Sequence, residues 1–182
     1  HSVSTFSFTR DSARALYLAD QELDGRVELY SVPVDGSANP IKLNGPLPAP
    51  GTVWHAVAAP LGRALYIAEQ ETDEVRELYS VPVDGSLARV KLNQPLTGGQ
   101  SVSAVIVPAS GNSAAFLTST NPVSGLSNAL FGAPIDGSEA AVALSLNGYF
   151  RSGGVEIDSS GGRVVYVAGP PARIEIYSVA ID

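Results

Sequence analysis

Apolar and polar positions alternate with period two in short stretches along the whole chain, and no stretch sustains a 3.6-residue apolar period. The pairs Phe6 and Phe8, His55 and Val57, Val105 and Val107, and Val155 and Ile157 each mark a strand with one apolar face. A second strand follows each pair: Ala15 to Ala19, Ala64 to Ala68, Ala114 to Thr118, and Val164 to Ala168. Turn residues separate the two, as in Arg10-Asp11-Ser12, Pro60-Leu61-Gly62, Ser110-Gly111-Asn112 and Ser159-Ser160-Gly161. The pattern predicts an all-β chain almost without helix.

The strands recur as a unit. The run Glu28-Leu29-Tyr30-Ser31-Val32-Pro33-Val34-Asp35-Gly36-Ser37 returns verbatim from Glu77 to Ser86, an offset of 49. Looser copies run from Leu130 to Ser138 and from Glu175 to Asp182. A ten-residue identity with two degenerate copies is beyond chance. Downstream of the first three copies comes a fourth strand, marked by Ile41 and Leu43, Val90 and Leu92, and Val142 and Leu144. Each unit is thus four antiparallel strands, with approximate bounds 1–49, 50–99, 100–148 and 149–182. Four-stranded units repeating at about fifty residues describe the blades of a β-propeller, or of part of one. In the Asp-Gly-Ser turns at Asp35, Asp84 and Asp136, Asp is expected to cap its own turn and Gly to take a positive φ. Lys42 and Lys91 fall on the outermost strands, where lysine discourages edge pairing.

The fourth unit reaches Asp182 at the turn where its last strand should begin, and His1-Ser2-Val3-Ser4 lacks the apolar pair that could replace that strand. Propellers close by completing the last blade, which removes exposed edges. The expectation is a last blade one strand short, in a piece of a longer propeller protein or in a chain whose sheet another copy completes. The chain has no Met, so His1 reads as a processed terminus or an internal start.

The units resemble the TolB-like propeller repeat, on Arg14 to Asp20, Glu28 to Ser37 and Ile41-Lys42-Leu43. The family's Ser-Pro-Asp-Gly turn is degraded here to Thr9-Arg10-Asp11-Ser12 and Ala59-Pro60-Leu61-Gly62. The resemblance spans essentially the whole chain. It implies a bacterial, periplasmic or secreted setting, and relatives of six to eight blades that serve as scaffolds or as the propellers of prolyl-oligopeptidase relatives.

Charge and composition narrow the partners. The net charge is −7 over 182 residues, which repels phosphate backbones and argues against nucleic acid. No apolar run approaches the roughly 18 residues of a membrane span, and the opening residues are not expected to be a signal peptide. The chain has no Cys, which excludes disulfides and thiolate chemistry.

Chemistry-bearing residues are few. His55 is the one internal histidine and sits in the apolar column shared with Phe6, Val105 and Val155, as a packed or channel-lining side chain or as a catalytic base. No Gly-x-Ser-x-Gly elbow accompanies it. Trp54, the single tryptophan, occupies a column otherwise filled by Thr5, Ala104 and Gly154. There it would form a ligand-stacking wall or plug a central channel. Asp20 and Asp24 lie in an acidic hairpin loop, open to two readings: calcium ligands, or a solvated polar loop. No other cofactor is indicated. The reading is a non-enzymatic scaffold that binds a protein, a small ligand at the central funnel, or a second copy of itself. The alternative is the propeller part of a larger enzyme, peptidase-associated or of polysaccharide-lyase type. One internal histidine argues against the lyase, whose sites gather several.

Overall fold

A computed structural model describes residues 2–121, 126–151, 154–169 and 174–181. Side chains are described for these except 126–128 and 146–151. His1, Asp182 and the Pro170-Pro171 loop lie outside the described residues. The chain divides into two compact units, His1–Lys91 and Leu92–Asp182.

Each unit is built from antiparallel sheets whose strands follow chain order. In the first unit, β1 (Val3–Phe8), β2 (Arg14–Ala19), β3 (Glu28–Pro33) and β4 (Ile41–Lys42) form one sheet. β5 (Val53–Ala59), β6 (Arg63–Ala68), β7 (Glu77–Pro82) and β8 (Val90–Lys91) form the next. In the second unit, β9 (Ser101–Ile106), β10 (Ser113–Ser119), β11 (Leu126–Pro134) and β12 (Val142–Arg151) make a four-stranded sheet. β13 (Val155–Ile157), β14 (Arg163–Ala168) and β15 (Glu175–Ala180) make a sheet of three strands. No α-helix occurs among the described residues. The all-β reading, the repeat and the short fourth sheet therefore match the sequence expectation.

The verbatim repeat folds verbatim. Arg14 pairs with Pro33 and Ala19 with Glu28, just as Arg63 pairs with Pro82 and Ala68 with Glu77. The central aromatic pair of every sheet stacks: Tyr17 on Tyr30, Tyr66 on Tyr79, Phe116 on Phe131 and Tyr166 on Tyr177, with centroids 5.2–5.4 Å apart. Such directly opposed aromatics supply cross-strand stabilisation. At the other end of the second strand, Arg14 Nε donates to Ser31 Oγ and Arg63 Nε to Ser80 Oγ, both at 2.7 Å, and Arg163 Nε reaches Ser178 Oγ at 3.2 Å.

The Asp-Gly-Ser turns behave as expected. Ser37, Ser86 and Ser138 each donate their backbone N–H to the carboxylate two residues earlier, at 2.9–3.0 Å. Gly85 has φ 67°, a conformation that side chains with a Cβ adopt only at a cost. The serine hydroxyl first, and its backbone amide second, hold the Asp84 carboxyl below its ordinary pKa.

Each sheet has two faces, and one packing scheme recurs in both units. The forward face of the first sheet, with Leu16, Leu18 and Leu29, packs on the rear face of the second, with Ala64, Tyr66, Tyr79 and Val81. In the second unit, Ala115, Leu117 and Leu130 present the forward face to Val155, Val164 and Tyr166. The turns reinforce this contact, since Ser110 N–H and Oγ–H both donate to the Ser159 carbonyl, at 2.7 and 2.8 Å. Gly111 lies at this point with φ 90°, and a Cβ there would sit 1.7 Å from the Ser160 carbonyl oxygen. Gly111→Ala therefore cannot keep both the turn and the contact. The expected loss is about 1–3 kcal/mol from backbone strain alone, read as a lowered urea midpoint. An unchanged midpoint would show that this turn contact contributes nothing.

Two expectations need correction. The first concerns register. Phe6 pairs with Tyr17, Val105 with Phe116 and Val155 with Tyr166, but the residue opposite Tyr66 is Ala56, not His55. His55 therefore shares its column with Thr5 and Ala104, and Trp54 shares its own with Ser4 and Ser103. The expected columns were one residue out in β5, and with period two that slip exchanges the faces. The second concerns lysine. β4 and β8 are outermost as expected, but Lys42 and Lys91 do more than guard an edge. Lys42 Nζ lies 2.6 Å from Glu22 and 3.3 Å from the buried Glu28, and Lys91 Nζ lies 2.6 Å from Glu71 and 3.0 Å from the buried Glu77. Each lysine is the counter-ion of a carboxylate that the repeat buries, and an unpaired buried carboxylate would be costly.

Candidate functional site

The most distinctive side-chain group lies on β5. Here Val53 pairs with Ala68 and His55 with Ile67, which leaves Trp54 as the extra residue of a β-bulge. The same irregularity occurs in β1 and β9, where serines fill it. Ser4 Oγ and Ser103 Oγ each turn back to a carbonyl of the neighbouring strand, Leu18 at 3.2 Å and Leu117 at 3.3 Å. A bulge re-aims the side chain it carries, and only in β5 is that side chain large.

Trp54 is 49% exposed, yet it is held on two sides. Its Nε1–H donates to Glu69 Oε1 at 2.9 Å. The Arg76 guanidinium lies over the ring, 3.6 Å from the centroid, and its Nε is 3.8 Å from the same carboxylate oxygen. A cation above an indole adds electrostatic attraction to the contact. Glu69 and Arg76 are largely buried, so the exposed ring rests on a closed charge pair. In the sequence Glu69 is one of several acids of its hairpin loop, Glu69 to Glu74, and Arg76 does not stand out. In the first repeat their places are taken by Asp20 and Val27, so the signal was a lone Trp and an Arg-for-Val exchange in the same unit.

His55 stands beside Trp54 in sequence and is exposed. Partial loss of hydration lowers its pKa from the ordinary value, so the imidazole is neutral at pH 7. It makes no hydrogen bond among the described residues that would orient it as a base.

Asp20 is committed to its own loop. Its carboxylate accepts the backbone N–H groups of Ser2 and, at 3.1 Å, of Gly25. These two amides, Ser2 first, hold the carboxyl below its ordinary pKa. Asp24 is exposed in that loop. Among the described residues no three His, Cys, Asp or Glu side chains gather as a metal site would require. A cleft of about 110 Å³ lies between the β1–β2 and β5–β6 turns, lined by Arg10, Asp11, Pro60 and Leu61. Small-molecule sites usually enclose about 300–1,000 Å³.

Comparison with solved structures places the fold. A TolB protein of Agrobacterium tumefaciens superposes with TM-score 0.59 and 16% identity, over 98% of this chain and 62% of that one. A puromycin-hydrolysing peptidase of Mycobacterium tuberculosis gives 0.62 and 13%, over 100% of this chain and 27% of that one. Oligopeptidase B of Leishmania major gives 0.61 and 14%, over 98% and 24%. The sheets have the fold of β-propeller blades. At these identities the likeness is one of fold, and the chain spans under two thirds of each relative's length. No family model matches the sequence, and no curated protein does. Among the described residues no helix is long and apolar enough to cross a membrane.

Proposed function

We propose that these blades form a non-enzymatic binding module that recognises a protein through the Trp54 patch, in an extracytoplasmic setting. The observation that supports this most is a half-exposed tryptophan held still by a buried charge pair. Trp and Arg dominate the energetics of protein interfaces. A ring that is already fixed loses little entropy when a partner covers it. The ring is half exposed, which favours a protein surface over an enclosed small ligand. His55 adjoins it and would contribute as a neutral donor or acceptor.

The test uses site-specific photo-cross-linking, with the reactive residue at exposed position 55 beside the indole, or at exposed Leu61 as the control. The expected result is a discrete cross-linked protein from position 55 only, and loss of its co-purification with Trp54→Ala. Equal capture by Trp54→Ala and the unaltered chain would reject the patch.

A second reading has an observation in its favour. The peptidases above match this chain over about a quarter of their own length. In this reading the blades are the propeller portion of a larger peptidase. The intact mass of the natural protein separates the two: a mass several times 18.8 kDa, accompanied by peptide hydrolysis, supports the peptidase.

A further inference from the structure

Charge is divided unevenly between the two ends of the first unit. At the end formed by the β1–β2, β3–β4, β5–β6 and β7–β8 turns, Arg10, Arg14 and Arg63 stand against Asp11, Asp35 and Asp84, so that end is balanced. The Arg89 guanidinium reaches away from it, to Gly45 beyond β4. The opposite end holds the β2–β3 and β6–β7 loops together with the start of β5, where Trp54 lies. There carboxylates outnumber cations, and the net negative charge of the unit sits at this end.

The ion pairs at this end do not cancel the excess. Lys42 serves both Glu22 and Glu28, and Lys91 serves both Glu71 and Glu77. Arg26 adds a longer contact to Glu28, at 3.8 Å, in the first repeat. Arg76 is engaged by Glu69. Asp24, Asp73 and Glu74 are exposed on the two loops. Both loops adjoin the indole. Asp73 lies three residues before Arg76, whose guanidinium covers the ring. Asp24 lies three residues before Val27, whose carbonyl accepts the Val53 N–H at 2.9 Å.

We infer that the partner docking on Trp54 is a basic protein segment, whose lysine or arginine side chains lay their apolar stems on the indole and direct their charged heads to the Asp24 and Asp73 loops. The inference rests on the binding role proposed above for Trp54. Long cationic side chains join an apolar stem to a charged head, so one residue uses both the ring and its acidic border. Opposite charge around a site also speeds encounter and turns away wrong partners, here acidic proteins and phosphate backbones.

Trp54 is the single tryptophan, so its emission reports this site alone. The experiment titrates the full chain with a decalysine peptide at low salt, with decaglutamate as the control. The expected result is a saturable change in Trp54 emission with decalysine only, suppressed at high salt where exposed charges are screened. Asp24→Asn combined with Asp73→Asn should weaken binding about fivefold or more, as the loss of two exposed ion pairs would. Glu139→Gln combined with Glu156→Gln removes the same charge from exposed positions of the second unit and should change it much less. Circular dichroism verifies each fold. No response to decalysine, or equal weakening by the two pairs of substitutions, would overturn the inference. Cross-linking at position 55 separates its failure from that of the Trp54 reading. A partner captured there through an acidic segment overturns the basic partner alone, whereas equal capture by Trp54→Ala overturns the reading on which it rests.

Discussion

Tyr66→Ala is expected to destabilise the chain by about 3–5 kcal/mol, the range for deleting a buried aromatic ring. Tyr66 has no exposed surface and stacks on Tyr79 with centroids 5.3 Å apart. Its hydroxyl donates to Gln70 Oε1 at 2.9 Å, and that oxygen also accepts the Gly45 N–H at 2.7 Å. The substitution therefore opens a cavity between two sheets and removes one partner of a buried polar group. Small domains are stable by only about 5–15 kcal/mol, so this variant stands near the limit of folding. The informative comparison is Tyr17→Ala. Tyr17 occupies the same place one repeat earlier and stacks on Tyr30 at 5.4 Å, but it lies on the bare rear face and its hydroxyl meets Gln21 at the surface. Its loss should cost clearly less. Urea denaturation at low concentration measures both, and equal costs would mean that sheet-to-sheet burial does not decide the stability of the repeat.

The blade was legible because its instructions are local. The Asp-Gly-Ser turn and the alternating strand each act within a few residues, and four imperfect copies filtered out chance. What escaped was set by geometry across strands. A bulge adds one residue without leaving any mark in composition. Aligning β5 by its apolar residues therefore chose His55 over Ala56, although alanine is the residue that fits against the neighbouring sheet. The contrast that made Trp54 notable survived the shift, because its true neighbours Ser4 and Ser103 are also small. The contacts of Arg76 and Glu69 with Trp54 were invisible for a related reason. They come from the loop flanking β6 and β7, and only folding brings them to the indole. The lysines were misread by treating a charged residue on an outer strand in isolation. The clue was that Glu28 and Glu77 lie inside an otherwise apolar repeat, and a buried carboxylate calls for a cation opposite.

That ionic cluster makes stability sensitive to alkali. Burial first, and then the hydrogen bond to Glu28, pushes the Tyr30 phenol well above its ordinary value of 10.0. Tyr79 is raised in the same way with Glu77, and burial raises Tyr66. Lys42 is raised by its hydrogen bond to Glu22, against desolvation. At Lys91 desolvation pulls down, but Glu71 and Glu77 outweigh it and the net shift is again upward. All five groups hold their protons more tightly folded than unfolded. Their contribution is therefore complete below the unfolded values, 10.0 for tyrosine and 10.5 for lysine, and is lost as pH rises above them. Each such group, where it is titrated unfolded but still protonated folded, costs about 1.4 kcal/mol per pH unit. Thermal melts should hold steady to about pH 9 and fall steeply by about pH 11. Phenolate absorbance from the buried tyrosines should appear together with unfolding rather than before it. Tyr79→Phe removes one titrating group and should flatten the slope, even though the lost hydrogen bond to Glu77 lowers stability at neutral pH. A Tyr79→Phe slope equal to that of the unaltered chain would show that this phenol does not govern the alkaline transition.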